Sequence, residues 1–401
     1  MSLRFGRSYL AIPGPSVIPD EVLQTMHRAS PNIYEGELIE TTESLFPDLK
    51  YVAQTTQNVA IYIANGHGAW EAALANMAEA GDTLLIIATG RFGHGWAEMA
   101  DRLGLQTEII DFGLKAPLEA GRIEEALRQD KDHKIKAVLT THVDTSTSVK
   151  NDVASVRAAL DACNHPAVLA ADCIASLGCD DFQMDAWGVD VMVAGCQKGL
   201  MVPAGLSFVY FSDKAKEAQK TLSRVSSYWD WLPRIEPEGY YQYFCGTAPT
   251  HHIYGLRQAL DMIKAEGLNN VFARHRSLAE ALWAAIDCWG SDGGTMRMNI
   301  TDPAHRSCAV TALSLNKPDA TRLRRWTEHN AGLTLGIGLG MNSEDDPNAD
   351  GFFRIGHMGH VNAHTIMGLI GTIDAGLKSL GVKHGAGASE AAAVKIASAL
   401  L

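Results

Sequence analysis

The sequence, 401 residues long, lacks the features that mark several whole classes of protein. No apolar run approaches the roughly 20 residues that a membrane-spanning helix needs, so no membrane span is expected. The seven cysteines are odd in number and contain no C-x-x-C pair, which argues against a disulfide framework and a zinc finger. Basic residues are in deficit, 34 against 46 acidic ones, so neither nucleic acid nor an anionic membrane is an expected partner.

Targeting signals and the dinucleotide fingerprint are missing as well. The first residues contain no apolar signal core, and the last three are not the peroxisomal Ser-Lys-Leu signal, so we predict a cytoplasmic protein. The glycine pattern G-x-G-x-x-G is absent, which weighs against a nicotinamide dehydrogenase. With 46% hydrophobic residues, the chain has an ordinary globular composition and is long enough for two cores.

From residue 59 onward, short apolar and β-branched runs alternate with helical patterns. The runs are 59–63, 83–88, 106–111, 136–141, 167–172 and 189–195. Such alternation predicts an α/β fold, with a mainly parallel sheet and helices on both of its faces. The run 206–211 follows after a turn too short for a crossover helix, so we predict that this strand is antiparallel to its predecessor.

The two ends of the chain follow other patterns. A proline-rich stretch near the start can form neither a helix nor a central strand. Beyond two long helical patterns, strands near 309–315 and 352–355 and helices near 318–330 and 362–380 indicate a smaller α+β domain, which an Ala-rich tail helix follows. The predicted organisation is an N-terminal arm, a large domain and a small domain, at residues 1–18, 19–255 and 256–401.

Four polar features follow predicted strands, where parallel sheets gather their ligand groups. One is the segment 141–145, whose hydroxyl or imidazole groups could reach a ligand, although polar strand ends are commonplace. The turn Asn65-Gly66-His67-Gly68 stands between a strand and a helix, and such a turn offers free N–H groups to a phosphate. Asp172 ends a buried strand, where an unpaired carboxylate is costly. Lys198 begins a turn, and desolvation there lowers an amine's pKa and makes it nucleophilic toward carbonyls. A tight structural turn and a surface lysine are the plainer alternatives.

A phosphate cup, an anion for a pyridine nitrogen and an amine for a Schiff base are the requirements of pyridoxal phosphate. Segments with this chemistry are spread over nearly the whole chain: Pro13-Gly-Pro-Ser16, Gly66-His67-Gly68-Ala-Trp-Glu71-Ala-Ala-Leu74, Asp172-Cys-Ile-Ala-Ser176, Gly195-Cys-Gln-Lys198-Gly199, Pro203-Ala-Gly205, Thr247-Ala-Pro249 and Arg354-Ile-Gly356. Through them the chain resembles the class V aminotransferases, most closely the alanine/serine–glyoxylate aminotransferase group. The resemblance implies fold-type I, with a seven-stranded, mainly parallel sheet in the large domain, and a homodimer with shared sites.

The resemblance also implies a role for each matching position. Lys198 would form the Schiff base with the cofactor and move the proton, and Asp172 would pair with the pyridinium nitrogen. Arg354 would bind the substrate's α-carboxylate in the bidentate geometry that a guanidinium favours. The other implied contacts go to the phosphate, the ring hydroxyl and the ring faces, and they fall on Gly66, His67, Gly68, Gln197, Thr145, Phe92, Ile174 and, from the partner subunit, Thr247.

Three positions depart from the family pattern. Phe92 stands where the glyoxylate aminotransferases usually have a tryptophan, and Phe244 replaces a phosphate-binding tyrosine that the neighbouring subunit supplies. The substrate-side segment, often His-Arg-Ser in bacterial serine–glyoxylate enzymes, reads Pro31-Asn-Ile-Tyr34-Glu35, so Tyr34 is an expected substrate contact. We therefore expect the chain to bind the cofactor, while the identity of its amino donor is not determined by these positions.

We predict an aminotransferase that moves an amino group from a small amino acid, such as serine or alanine, to a 2-oxo acid such as glyoxylate or pyruvate, with ping-pong kinetics. A pyridoxamine–pyruvate type of enzyme is the first alternative. The segments 142–145 and 354–359 are similar to that branch, but His67 stands where the branch has an acidic residue. A lyase or cysteine desulfurase is a further alternative, against which Gln197 speaks because desulfurases have a histidine there.

Two clusters of residues stay outside this interpretation. The histidines His357, His360 and His364 invite a metal interpretation, but we predict no metal site. The aromatic segment 226–250 is either a buried linker or subunit contact, or a part of the site.

Overall fold

Seven strands form the larger of two β-sheets in the computed structural model, which describes residues 3–342 and 349–399. They are β2 (Asn58–Tyr62), β3 (Thr83–Ala88), β4 (Gln106–Asp111), β5 (Ile135–Thr141), β6 (Val168–Asp172), β7 (Val191–Gly195) and β8 (Ser207–Phe211). Their spatial order is β2-β8-β7-β6-β5-β3-β4. Only β8 runs against the others in this sheet. The predicted mainly parallel, seven-stranded sheet is confirmed, and so is the antiparallel strand that follows Lys198.

The second sheet is smaller and mainly antiparallel. Its strands are β1 (Tyr9–Ala11), β9 (Arg297–Met298), β10 (Val310–Ser314), β11 (Leu333–Ile337) and β12 (Phe352–Gly356), in the order β1-β11-β12-β10-β9. The arm enters this sheet through β1, which pairs parallel with β11 at its edge. Sequence analysis predicted no strand in the arm, because its prolines dominate the pattern. Those prolines begin at Pro13, just beyond the last residue of β1.

Helices pack against both sheets. They are α1 (Asp20–Met26), α2 (Glu37–Val52), α3 (Gly66–Met77), α4 (Arg91–Arg102), α5 (Ala120–Gln129), α6 (Val153–Ala162), α7 (Asp213–Gln219), α8 (Leu232–Ile235), α9 (Thr250–Glu266), α10 (Leu268–Trp289), α11 (Asp319–Ala331), α12 (Ala363–Ser379) and α13 (Ala388–Ala399). Short 3-10 helices cover Tyr240–Tyr243, Pro303–His305 and Ala349–Gly351. Within residues 3–342 and 349–399, no helix combines the length and the apolar composition needed to cross a membrane.

Apart from the edge strand β4, which is largely exposed, the large sheet is buried on both faces, and this burial explains its continuous apolar strands. In β3, Leu85 and Ile87 join the core on one face, while Leu84 and Ile86 join the core on the other. Successive side chains of a strand point to opposite faces, so a parallel sheet covered by helices needs apolar residues at every position. The continuous apolar run at 83–88, from which a buried strand was predicted, is therefore what packing against helices on both faces requires.

The packing of α9 bears on where the two domains meet. Apolar residues of α9, such as Leu256 and Leu260, lie in the core of the large sheet. The core of the second sheet takes residues of α10 from Leu278 onward, together with Ala11 of the arm. The predicted division at residue 255 falls inside α9. We propose instead a boundary within α10, at residues 272–277, where its contacts change from one core to the other.

Two buried histidines hold the chain that follows β12. His275 of α10 accepts a hydrogen bond from the Gly359 N–H at Nε2 (3.0 Å), and its Nδ1 donates to a backbone carbonyl one turn earlier. His357 contacts the Cys308 carbonyl and the Thr311 hydroxyl, each at 2.9 Å. A ring nitrogen that accepts carries no proton, so His275 is neutral. Burial lowers the pKa of His275 to about 3 and the pKa of His357 to about 4.

Acid should therefore weaken the fold through His275. Its pKa is about 6.5 in the unfolded chain and lower in the folded chain. Its contribution to stability is thus complete above about pH 6.5 and is lost as the pH falls below that value. We expect His275→Gln to lower the urea midpoint at neutral pH. Between about pH 7 and pH 5, however, the variant should lose less stability than the native chain, by up to about 1.4 kcal/mol per pH unit.

The control for this measurement is His360→Gln, because His360 is exposed to solvent in the same segment. It should keep both the midpoint and the pH dependence of the native chain. Equal pH slopes for the native chain and His275→Gln would contradict the role of a buried neutral imidazole.

Candidate active site

The carboxyl ends of the parallel strands bring the predicted site residues to one edge of the large sheet. Asp172 is the last residue of β6 and lies opposite Thr141 of β5 in the register of the sheet. Lys198 lies three residues beyond the end of β7. The turn at Gly66 follows β2, and Phe92 follows β3. These groups are far apart in sequence, and it is the shared direction of the strands that gathers them.

Lys198 is largely buried, and its Nζ donates a hydrogen bond to the carbonyl of Pro13. The pKa of its ammonium group is lowered to about 8, mainly by burial. The positive charge of Arg354 also lowers this pKa, and the Asp172 carboxylate raises it by a smaller amount. The arm also binds the backbone around the lysine, because the Ser16 hydroxyl donates to the Lys198 carbonyl (2.7 Å). The amine is therefore held by the arm, without a direct carboxylate partner.

Gly14 makes this contact possible. It has φ +101°, and a Cβ built on it would lie only 2.3 Å from the Lys198 Nζ. A side chain at this position would occupy the space of the amine, and the positive φ disfavours any residue other than glycine. The arm residues were part of the family resemblance, but sequence analysis gave them no role. Nothing local in the sequence places Pro13 beside a lysine 185 residues away.

Asp172 is buried and accepts two hydrogen bonds. One comes from the Ile174 N–H at 2.7 Å and the other from the Trp70 indole N–H at 3.1 Å. Burial is the largest influence and raises the pKa of Asp172 to about 7, while both hydrogen bonds act to lower it. A cationic ring nitrogen at this carboxylate would stabilise its charged form. Trp70 is a site residue that sequence analysis quoted within a segment without assigning it a function.

The turn before α3 has the geometry of an anion-binding helix start. Asn65 is the N-cap, and its side-chain oxygen accepts from the N–H groups of His67 (3.1 Å) and Gly68 (3.4 Å). The side chain of Ile174 packs against Gly66, where a Cβ would lie 2.4 Å from it. The structure thus places Ile174 against Gly66 and shows that Asn65 orders the turn. The cofactor contacts of Gly66, His67 and Ile174 stay predictions.

Gln197 contributes an unsatisfied polar group to the same edge. Its side-chain oxygen is buried and has no hydrogen-bond partner in the part of the chain that the structure describes. Buried polar atoms without partners are uncommon and often await a ligand. Phosphate oxygens accept hydrogen bonds, so the N–H₂ group of the same amide is the part that can bind a phosphate.

A buried carboxylate fixes the position of Phe92. Asp144 is fully buried and accepts from the N–H groups of Phe92 (2.9 Å) and Gly93 (3.4 Å) at the start of α4. It also accepts from the N–H (2.9 Å) and hydroxyl (2.5 Å) of Ser146. The ring of Phe92 meets Trp70 edge-on, with centroids 6.1 Å apart. The capping of α4 by Asp144 was not predicted, because it joins residues more than 50 positions apart in the sequence.

Arg354 lies on β12 and projects from the small sheet toward this edge. Its Nε donates to the Ile337 carbonyl (2.8 Å) and its Nη1 donates to the Thr145 carbonyl (2.9 Å). Burial lowers its pKa to about 10 while the Asp144 charge raises it, so Arg354 is cationic at neutral pH. Both terminal nitrogens retain N–H groups for a carboxylate. The hydroxyl of Thr145 has no partner within the described residues, which leaves it available to a ligand.

Other predicted residues lie apart from this centre. Thr247 is exposed on the turn before α9, and Tyr34 is 85% exposed on the loop before α2. Neither contacts Lys198 or Asp172 within the described chain, and their site roles stay predictions. Phe244 was expected to face a neighbouring subunit, but only 1% of it is exposed and it packs against tyrosines of its own chain. The implied partner-facing position is therefore wrong for Phe244, because its ring fills an internal aromatic cluster.

The histidines near the site are structural. His142 packs between Phe182 and Trp187, with ring centroids 5.1 and 5.6 Å away, and burial lowers its pKa to about 4. His360 and His364 are exposed, and His357 has the two partners given above. Among the residues that the structure describes, no group of three His, Cys, Asp or Glu side chains is placed to hold a metal ion.

The arrangement suits one cofactor. A buried lysine with its pKa near neutrality supplies an amine, a buried carboxylate lacks a cation, and a capped helix start stands beside an unsatisfied amide. Pyridoxal phosphate carries a carbonyl, a basic ring nitrogen and a phosphate that complement these three groups. The chain thus has the fold and the chemistry of a fold-type I pyridoxal-phosphate enzyme.

Comparison with known proteins narrows this class. The family model of aminotransferase class-V matches residues 8–329. A serine–glyoxylate aminotransferase of Methylorubrum extorquens is 38% identical over 399 residues, with 97% of this chain and 96% of the relative covered. An L-aspartate–glyoxylate aminotransferase of Paracoccus denitrificans is 37% identical over 393 residues, with 95% and 94% covered. The chain belongs to the aminotransferase class-V family, and it is a pyridoxal-phosphate-dependent transaminase.

A solved structure supports the fold. The pyridoxamine–pyruvate aminotransferase of Mesorhizobium loti has a TM-score of 0.87, and the match covers 97% of each chain. The two sequences are 22% identical. At that identity the likeness shows the fold and carries no statement about substrate.

Trp70 should strengthen cofactor binding through Asp172. Replacing it in Trp70→Phe removes a hydrogen bond to the carboxylate, so the pKa of Asp172 should rise further and its pairing with a cationic ring nitrogen should weaken. We expect the dissociation constant for pyridoxal phosphate to rise about tenfold, by equilibrium dialysis. The matched control is Trp96→Phe, because Trp96 stacks on Trp70 but its indole N–H has no partner in the described chain. Equal losses in both variants would mean that packing alone matters.

Gly14 should control access to the lysine amine. In Gly14→Ala the new methyl group would collide with Nζ, so we expect the visible absorbance that depends on Lys198 to develop at least about tenfold more slowly after cofactor addition. Stopped-flow absorbance provides the measurement. Gly6→Ala is the control in the same arm, because a Cβ there meets nothing within 4 Å. Native rates in Gly14→Ala would show that the amine does not depend on this contact.

Proposed function

We propose that this transaminase takes its amino group from a small amino acid, such as serine or alanine, and passes it to glyoxylate or pyruvate. The observation that carries the proposal is the pairing of a desolvated amine at Lys198 with a buried guanidinium at Arg354. The guanidinium fits an α-carboxylate, and the amine then lies beside the α-carbon. The names of the serine–glyoxylate and L-aspartate–glyoxylate relatives support glyoxylate as the acceptor.

The residues divide the reaction among them. Bound pyridoxal phosphate supplies an electron-withdrawing ring that stabilises negative charge at the substrate's α-carbon. Lys198, neutral in a substantial fraction near its pKa of about 8, would take the α-proton and deliver it to the cofactor carbon that carried the carbonyl oxygen. Arg354 fixes the α-carboxylate and thereby the direction of the C–H bond. Asp172 keeps the ring nitrogen positively charged. Water would release the donor as a 2-oxo acid and leave its amino group on the cofactor, and the acceptor would take that amino group by the reverse steps with loss of water.

We propose that the chain works as a homodimer, with Thr247 reaching the phosphate of the partner. Exposed apolar side chains near the site support this proposal: Ile63 is 38% exposed and Tyr241 64%. The hydroxyl of Tyr228 bonds the Ile63 carbonyl (3.3 Å), and the neighbouring Trp229 packs beside Gly68 of the phosphate turn. Exposed apolar patches of this kind are typical of interfaces. A cytoplasmic location is proposed as well, supported by the seven cysteines, all of them free.

Single-turnover mixing tests the proposed reaction. The enzyme loaded with pyridoxal phosphate is mixed with serine, alanine or pyridoxamine, and loss of cofactor absorbance and formation of the 2-oxo acid are followed. Serine or alanine should react, and Lys198→Ala should slow the reaction by at least about 100- to 10,000-fold, the range of a positioned general base. Lys115→Ala, at an exposed lysine, should react as the native enzyme does. A response to pyridoxamine alone would favour the alternative type and reject the proposal.

A further inference from the structure

Arg91 lies at the edge of the site and has no counter-ion among the residues that the structure describes. It is the first residue of α4 and immediately precedes Phe92, and its side chain is exposed. Within residues 3–342 and 349–399, its guanidinium has no hydrogen bond and no ion pair. Exposed arginines commonly lack protein partners because water solvates them. The groups around Arg91 are therefore the evidence for or against a role in ligand binding.

The two carboxylates that line a groove together with Arg91 are engaged elsewhere. A groove beside the site is lined by Arg91 together with Glu71 and Glu98. Glu71 accepts a hydrogen bond from the Trp229 indole (3.0 Å), and Glu98 is paired with Arg102 one turn later in α4. Neither acid has turned to neutralise Arg91. The positive charge of Arg91 is still felt by His67, whose pKa is lowered by burial first and by Arg91 second.

Arg91 and Arg354 are anchored on the same loop after β5. The backbone N–H of Arg91 donates to the Ser146 hydroxyl (3.1 Å). The Nη1 of Arg354 donates to the carbonyl of the preceding residue, Thr145 (2.9 Å). Two adjacent residues of one buried loop thus hold both arginines.

The segment after β11 provides a second shared support. Arg354 donates from Nε to the Ile337 carbonyl (2.8 Å). The aliphatic part of the Arg91 side chain lies against Gly340, where a Cβ would come within 2.6 Å of the Arg91 Cβ. A side chain at Gly340, which has φ +72°, would displace Arg91. Both arginines therefore rest on the same two short segments, one after β5 and one after β11.

We propose that Arg91 binds the distal carboxylate of a dicarboxylic amino donor whose α-carboxylate is held by Arg354. The proposal rests on the transaminase function proposed above and names the substrate class of the same site. A guanidinium presents two parallel N–H groups to a carboxylate and suits this task better than an ammonium group does. Since Arg91 is exposed, its contribution depends on being covered when the donor binds. Serine and alanine, which have no second carboxylate, would leave Arg91 unused.

The test compares three donors across four forms of the enzyme. Native enzyme, Arg91→Gln, Arg91→Lys and the control Arg102→Gln are loaded with pyridoxal phosphate and mixed in single turnovers with L-aspartate, L-serine or L-alanine. Arg91→Gln should lower the second-order rate constant for L-aspartate about 10- to 100-fold and leave the values for serine and alanine unchanged. Arg91→Lys should recover part of the loss, because it keeps the charge without the planar fork. Arg102→Gln should match the native enzyme with every donor.

Three results would overturn the proposal. One is an equal loss of rate for all donors in Arg91→Gln. Another is a change in Arg91→Gln that does not concern the donor: a raised dissociation constant for pyridoxal phosphate would assign Arg91 to the phosphate, and a changed mass by light scattering would assign it to a subunit interface. The third is a native enzyme that reacts with serine or alanine but not with L-aspartate, which leaves the proposed function intact. Failure with all three amino acids would instead reject the proposed function itself.

Discussion

The burial of Lys198 beside a second cation is the constraint on which the site depends. An ammonium group in a low-dielectric environment is unfavourable, and here the nearby Arg354 makes it more so. The only direct hydrogen bond that Nζ makes among the described residues goes to a backbone carbonyl, that of Pro13. A carbonyl accepts from a neutral amine as well as from a cation. The lysine is thereby kept close to the neutral form that attacks a carbonyl or takes a proton.

This constraint explains why the two sheets form one site. Pro13 contacts the lysine because β1 anchors the arm to β11, and the positive charge of Arg354 acts on the lysine from β12 of the same small sheet. The large sheet supplies a group of the opposite charge type, the buried carboxyl group of Asp172, whose pKa is raised by burial. Without a ligand, both groups are held in their less favourable environments. A molecule with a carbonyl and a basic ring nitrogen relieves both at once, so part of its binding energy is already stored in the fold.

The sequence predicted what local pattern and strand direction determine. Lys198 and Asp172 could be found because each ends a continuous apolar run, and parallel strands carry such ends to one edge. The contacts of Trp70 and Pro13 could not be found, because they join residues 102 and 185 positions apart that no periodicity links. Phe244 was misplaced because a family position was carried over without knowledge of the aromatic residues around it. Its neighbours Tyr240 and Tyr243 bury the ring inside its own subunit.

One buried carboxylate positions several of the groups that the proposed reaction uses. Asp144 is fully buried, yet its charge is satisfied by hydrogen bonds from the start of α4 and from Ser146. The same carboxylate sets the position of Phe92 and, through Ser146, that of Arg91, and it keeps Arg354 more strongly protonated. The ring face and both arginines therefore share one electrostatic anchor. Evolution can change the donor by altering exposed residues around that anchor, whereas loss of the anchor would disturb cofactor and substrate together.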